Sequence, residues 1–327
     1  MERALSNLSA VESVRDDADE LLSVRVAELY YDENKTQDEI GALLGISRWK
    51  AGRLLTQARE SGIVRIEIVH PRARRLRLER ELCSRFGLTD AVIVPDPDLE
   101  ADATGRVAQA AADYLAALRP VPRVLGVSWG RTLNEVALRL PQQWAIGVTV
   151  VQINGGVSLN RRSGGAATMA AIIAERGSGQ AVLLPSPAIL ERIETKRAIE
   201  ADRTVADVLE RAATASAYLY SAGVADASSV LVDSGYLTPD DVTELVRKGA
   251  VGDVVGRYIG ADGEIVDAEL DERTVGLGLD ELRSAATAIF VVAGSSKHDV
   301  ARAVVMSGLC TVLVSDEGTA RALLEDR

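Results

Sequence analysis

Aromatic residues make up only 4% of this 327-residue chain, and it has two cysteines. With so few rings, cores must be built mainly from Ala, Val, Leu and Ile. Cys83 and Cys310 lie far apart in sequence. The opening MERALSNLSAVESVRDDADE is charged and has no apolar signal-peptide region. The expectation is therefore free thiols in a reducing, cytoplasmic setting, not a disulfide framework. No apolar run approaches the ~20 residues of a membrane span. The phosphate-binding signatures GxxxxGK(S/T) and GxGxxG are both missing, which argues against a P-loop and a dinucleotide site. No paired acid/base constellation with a histidine is evident, His298 reading as a surface residue, and no catalytic residue, metal or cofactor is expected.

Hydrophobic residues reach 47%, so the chain folds, and its length suits two or three domains. The net charge of −11 is unevenly distributed. Residues 1–46 carry 4 Lys/Arg against 11 Asp/Glu, residues 47–80 carry 10 against 3, and residues 81–327 carry 23 against 34. One basic block thus sits between two acidic ones. Attraction to DNA can be local to that block while the acidic body discourages non-specific binding.

The basic block begins inside TQDEIGALLGISRWKAGRLLTQARE, residues 36–60. Thr36 and Glu39 form a capping box. Ile40, Leu43 and Leu44 make an apolar stripe at helical spacing, and Gly45 ends that helix. Ile46 can plug the gap to a second helix, capped by Ser47, whose stripe runs through Ala51, Leu54, Leu55 and Ala58. Two helices joined by a tight glycine turn predict a helix-turn-helix. Ser47, Arg48, Trp49, Lys50 and Arg53 cluster in the first two turns of the second helix. Arg48 or Lys50 can donate to guanine, and Arg53 suits a phosphate. With Thr36, these are the expected DNA-binding residues. An ordinary helical hairpin with a solvated basic face is the alternative.

Residues 1–16 read as a tail and 17–71 as the DNA-binding domain. The latter includes an amphipathic support helix over 18–32 and a short strand, IVRIEIV at 63–69, that resembles half of a wing. Residues 72–88, rich in arginine, read as a linker helix: either a dimerisation or phosphate-contact helix or a solvated connector. From residue 89 to 327 the rhythm changes. Seven short apolar runs, at 91–95, 123–128, 147–154, 181–185, 216–223, 288–294 and 311–315, alternate with helical stretches. Strands apolar on both faces and separated by helices predict a Rossmann-like α/β domain with a parallel sheet.

Ligands in such folds bind beyond the carboxyl ends of the strands. In VLGVSWGRTLNEVA a strand runs into Ser128, Gly130, Arg131, Thr132 and Leu133 at a helix start, where amides, hydroxyls and a guanidinium can cradle a phosphate. Lys297, in FVVAGSSKHD, can neutralise an anion. Asn154 and Gly155, in INGG, end another strand, and RRSGGAAT at 161–168 can rim the pocket. Asp253 and Asp226 suit sugar hydroxyls. The Asp262-Gly263 pair reads as a hairpin turn.

These motifs, in this order and spacing, resemble the SorC/DeoR-type sugar-binding transcriptional regulators of bacteria. The resemblance rests on ISRWKAGRLL, GVSWGRTL, INGGV, GAVGDVVGRYIGADGEIV, VVAGSSKHDVARAV and TVLVSDEGTARALL, and covers the chain from about Leu21 to Leu324. It implies a winged-type helix-turn-helix followed by an effector domain similar to sugar-phosphate isomerases. It also implies a homo-oligomer, usually a tetramer, that binds operator DNA and responds to a sugar or sugar phosphate. Gly130, Arg131 and Thr132 then fall on the family's phosphate loop, Lys297 on its phosphate-binding lysine, and Asp253 against sugar hydroxyls. Asn154 stands where some relatives carry a basic residue, which argues against a covalently bound effector. The expected function is a sugar-controlled regulator of carbohydrate metabolism. The alternative is a sugar-phosphate isomerase or deaminase carrying a DNA-binding module, with Asp226 or Asp253 as base.

Overall fold

A computed structural model of the chain describes residues 20–64, 74–96, 103–157 and 166–325. The tail at 1–16, most of the strand read at 65–69 and the rim at 161–165 lie outside the described residues. The chain divides into two compact units, Met1–Val69 and His70–Arg327.

The first unit contains α1 (residues 20–31), α2 (Gln37–Leu44) and α3 (Arg48–Glu60). The capping box forms as the residues dictate: Thr36 Oγ1 accepts from the Glu39 amide, and the Glu39 carboxylate accepts from the Thr36 amide. Gly45 turns the chain in the left-handed region at φ 65°, and Ser47 caps α3 by accepting from the Lys50 amide. Val26, Leu29, Ile40, Ala51, Leu54, Leu55 and Ala58 close the core, with Leu44 and Ile46 packed against it. Leu43 departs from the expected stripe and is 60% exposed. Ile40 and Leu44, four residues apart, carry the packing instead, so the buried stripe is narrower than its spacing suggested.

The second unit begins with α4 (Leu76–Phe86), β1 (Asp90–Val94), α5 (Ala103–Ala117), β2 (Val124–Val127) and α6 (Arg131–Arg139). Next come β3 (Thr149–Gln152), α7 (Ala166–Arg176), β4 (Gln180–Val182), α8 (Ile193–Glu200), α9 (Arg203–Ala213) and β5 (Ala217–Tyr220). An insertion then carries β6 (Ala222–Val224), α10 (Val230–Asp233), α11 (Pro239–Arg247), β7 (Gly252–Val254), β8 (Arg257–Ile259), α12 (Ala268–Arg273) and α13 (Leu279–Arg283). The chain ends with β9 (Ala288–Val291), a 3₁₀ turn at Ser295–Lys297, α14 (His298–Met306), β10 (Val312–Asp316) and α15 (Glu317–Leu324).

Seven strands form one parallel sheet in the order β1-β10-β9-β5-β2-β3-β4. They are the seven apolar runs read from the sequence. Each strand feeds both cores because alternate residues face opposite sides. In β5, Tyr218 and Tyr220 join the core with α4, α9, α14 and α15, while Ala217 and Leu219 join the core with α5, α6 and α7. A smaller antiparallel sheet, β6-β7-β8, packs with α10, α11 and α12 around Leu231, Leu245, Tyr258 and Leu270. The seven apolar runs read from the sequence do not include β7 and β8. They are a hairpin, closed by Val255 and Gly256 at φ 50° and 88°.

The segment read as a linker helix contains a helix at Leu76–Phe86. Its helix, α4, is built into the second unit: Leu82 is fully buried in the main core. Glu79, also buried, accepts from the Ile93 amide and from Arg74. Arg75 pairs with Glu317 of α15 at 2.5 Å. A carboxylate satisfied on both sides and a buried leucine hold α4 to β1. Leu82→Ala should therefore destabilise the second unit by about 2–5 kcal/mol in urea unfolding followed by near-ultraviolet dichroism. A loss within about 0.5 kcal/mol, as for a solvated connector, would contradict this packing.

Candidate functional site

The connections of the parallel sheet diverge between β2 and β5. The chain leaves β2 through α6 towards β3, and leaves β5 on the other side through the insertion towards β9. A crevice opens at the carboxyl ends of such strands. Here it is a cavity of about 730 Å³, lined by the ends of β2, β5 and β9 and by the insertion. The Ser128 amide donates to the Leu219 carbonyl, fastening the two diverging strands just before they part.

One wall carries positive charge. Gly130 precedes α6 at φ 147°, ψ 161°, a conformation open to glycine, and provides no side-chain cap. The first amides of α6 have no carbonyl partner within their own helix and sit at its positive end. Arg131, exposed at that end, reaches across to donate to the Ser228 carbonyl. Lys297 enters from the turn after β9. Its pKa is lowered by burial, which outweighs the opposing effect of Asp253; Arg131 lowers it further. That turn is held by Asp316, whose carboxylate accepts from the Gly294 amide, from Thr319 Oγ1 and from the Thr319 amide.

Asp253 supplies the opposite charge. It is 5% exposed, paired across the small sheet with Gly223 and Tyr258. A β-carbon at residue 223 would stand 2.0 Å from Asp253 Oδ1, so the glycine makes room for the carboxylate. Its one hydrogen bond among the described residues comes from the Gly256 amide at 3.1 Å. Burial pushes its pKa up to about 6, against the Gly256 amide and the Lys297 charge. Tyr258 beside it is also raised, chiefly by burial and then by Asp253. Its hydroxyl lies 3.4 Å from Ser229 Oγ. Asp226 holds the next turn by accepting from the Ser228 amide and hydroxyl.

The structure thus gathers Ser128, Gly130, Arg131, Thr132, Asp226, Asp253 and Lys297 around one cavity. Three expected residues stand elsewhere. Leu133 is fully buried in the core between α6 and its neighbours, because it occupies the sheet-facing side of the helix. Gly155 packs against Pro187 and Ala188, and its carbonyl accepts from the Trp129 indole. Asn154 bridges to Gly276 and is 1% exposed, with both side-chain polar atoms lacking a partner among the described residues. Leu133 follows the phosphate-type loop at the start of α6, and Asn154 and Gly155 follow β3, yet none of the three lines this cavity. Missed by the sequence reading were Ser221, Ser228, Ser229 and Val255. Val255 is β-branched, 3% exposed and at positive φ, a costly conformation that marks functional turns. The Val255-Gly256 pair that closes a two-residue hairpin was the available signal. Among the described residues no cluster of His, Cys, Asp or Glu suits a metal, and no helix is long and apolar enough to cross a membrane.

On the first unit, the outer face of α3 presents Arg48, Trp49, Gly52, Arg53 and Thr56 beside Gln37. Arg48 leans towards Asp38 of α2 at 3.5 Å, with both side chains exposed. Lys50 is half-buried, and Ser47 and Thr36 act as caps.

The Sugar-bind family of sugar-binding domains matches residues 70–325. The chain is 32% identical over 307 residues to the deoxyribonucleoside regulator of Bacillus subtilis, covering 93% of this chain and 97% of that one. It is 31% identical to the transcriptional regulator LsrR of Klebsiella pneumoniae, covering 94% of each. Among solved structures, the full-length sorbitol operon regulator SorC of Klebsiella pneumoniae superposes with a TM-score of 0.70 at 27% identity, covering 93% of this chain and 98% of that one.

The raised Asp253 pKa predicts a pH dependence. Its folded value, about 6, exceeds the ordinary 3.8, so the folded protein holds a proton that the unfolded chain has released between those values. That contribution to stability is full below pH 3.8 and is lost as pH rises through 6. Without ligand, Asp253→Asn should match the wild type near pH 4 and exceed it at pH 7 by about 3 kcal/mol in urea unfolding. Parallel stability curves across that range would contradict the assignment.

Proposed function

The chain belongs to the Sugar-bind family of transcriptional regulators, and from that premise we propose how its two units divide the work. The α2–α3 pair acts as a helix-turn-helix, in a winged form, that lays α3 in the major groove of operator DNA. The cavity at the β2/β5 divergence takes a sugar or sugar phosphate whose binding changes operator affinity. By linkage, operator binding changes effector affinity by the same factor. The observation that carries this reading is the shared cavity. Arg131, Lys297 and the α6 terminus suit a phosphate, and Asp253 and Asp226 suit hydroxyls.

We propose binding without turnover, because no histidine lines the cavity among the described residues to partner Asp253 as acid or base. The parallel sheet with polar loops at its carboxyl ends supports the likeness to sugar-phosphate isomerases. A cytoplasmic homo-oligomer, a tetramer in this reading, would cover exposed apolar side chains such as Ile146 and Met306. The domain limits follow the same division: a DNA-binding part to about residue 71 and an effector and assembly part beyond it.

Anisotropy titration of duplexes from the DNA upstream of the chain's own gene, with and without a panel of sugars and sugar phosphates, tests the reading. One compound should shift the dissociation constant several-fold; indifference to a broad panel would count against ligand control. Lys297→Ala should leave operator affinity unchanged and blunt that shift by about tenfold in effector concentration. Equal damage to both activities would point to misfolding instead. Arg53→Ala should weaken all duplexes alike and lower the slope of log affinity against log salt by about 1. An unchanged slope would remove Arg53 from the phosphate contacts.

A further inference from the structure

The chain has three tryptophans, and they differ sharply in environment. Trp129 and Trp144 are 8% and 6% exposed, and their indole N–H groups donate to the carbonyls of Gly155 and Ile173. Trp49 is 89% exposed, and no hydrogen bond to its indole is found among the described residues. A tryptophan buries more apolar area than most side chains when it finds a partner, so leaving one in water forgoes a large gain. Folding of the first unit does not use it: the core of that unit closes on Ala51, Leu54, Leu55 and Ala58, from the other side of α3.

Its neighbours say what kind of partner fits. Trp49, Gly52, Arg53 and Thr56 recur at i, i+3, i+4 and i+7 and so share one helical face. With Arg48 and Gln37 they line a recess of about 540 Å³. At Gly52 a β-carbon would come 3.1 Å from Gln37 Oε1, so the glycine keeps the ground beside the indole low. Two arginines on this face attract a polyanion, and Trp49 sits in the first turn of α3, the part of a recognition helix that meets base edges. In the major groove, base edges offer hydrogen-bond donors and acceptors and a single apolar group, the thymine C5-methyl. An indole has one donor and a wide apolar surface, and that methyl is the apolar group a base edge offers to cover it.

We propose that Trp49 reads thymine, packing its ring against a C5-methyl in the major groove while the arginines hold the backbone and neighbouring guanine. The inference rests on the DNA-binding reading of α2–α3 and adds the base it recognises. It makes Trp49 a specificity-determining residue whose contribution carries no counterion release.

The test uses the full chain and the upstream duplex that binds most tightly, by anisotropy at several salt concentrations. Thymines in that duplex are replaced singly by deoxyuridine, which removes only the methyl. For the wild type, replacement at one or two positions should weaken binding about five- to tenfold. Trp49→Ala should weaken binding to the thymine duplex about tenfold, be indifferent to deoxyuridine at those positions, and leave the salt slope unchanged. Trp49→Phe should recover part of both the affinity and the deoxyuridine sensitivity. Three results would overturn the proposal: full affinity in Trp49→Ala, a wild type insensitive to deoxyuridine everywhere, or a Trp49→Ala protein as sensitive to deoxyuridine as the wild type. Failure of the wild type to bind any duplex in a sequence-dependent way would overturn the DNA-binding reading, and this inference with it.

Discussion

Strands β2 and β5 lie side by side, yet the chain leaves them in opposite directions, and the rest of the site follows from that divergence. Parallel strands need crossover connections, and two crossovers that part from adjacent strands leave a gap neither can fill. Into that gap the fold delivers the start of α6 from one side, the β6-β7-β8 insertion from the other, and the Lys297 turn from β9. The Ser128–Leu219 hydrogen bond holds the strands together up to the point of divergence. A cavity in this position is therefore a product of topology, before any side chain is considered.

What side chains add is charge held at a cost to stability. Asp253 is buried with a single hydrogen bond among the described residues, and its raised pKa measures how poorly the apoprotein solvates it. Val255 holds a backbone conformation that a β-branched residue avoids. Lys297 is half-buried with Arg131 near it, and both effects lower its pKa. Each of these opposes folding, and they line one cavity. A ligand carrying an anion and hydroxyls would relieve the cation pair and satisfy Asp253, so groups that oppose folding would also favour such binding. The first unit follows a related logic. Its helices are fixed by a capping box, a glycine turn and a small aliphatic core, which leaves the outer face of α3 free to carry exposed polar and aromatic groups.

Much of this was legible in the sequence where periodicity and local chemistry act alone. The seven apolar runs became the seven parallel strands, since a strand buried on both faces needs little beyond apolar, β-branched residues. Thr36, Glu39, Gly45 and Ser47 specified the α2–α3 turn through hydrogen bonds spanning only three or four residues. Tertiary choices were less visible. The β7–β8 hairpin hid behind its glycines, which serve close strand approach and a tight turn as readily as a loop. The burial of α4 depends on Glu79 meeting a backbone amide fourteen residues away, a contact no local pattern announces. For the site, loops at strand ends pointed to the right residues when the side chain itself faces the gap, as with Arg131, Asp253 and Lys297. Leu133, Asn154 and Gly155 stand outside the cavity lining: Leu133 is buried in the core, and Asn154 bridges to Gly276.

The central claim is that this cavity binds a sugar through a negatively charged group held by Arg131, Lys297 and the start of α6. Calorimetric titration of the full chain with matched pairs of free and phosphorylated sugars, repeated with Lys297→Met, tests it most directly. The account predicts that one phosphorylated sugar binds at least about tenfold tighter than its free form, and that Lys297→Met abolishes this difference. Equal affinity for both members of every pair, or a preference untouched by Lys297→Met, would contradict it.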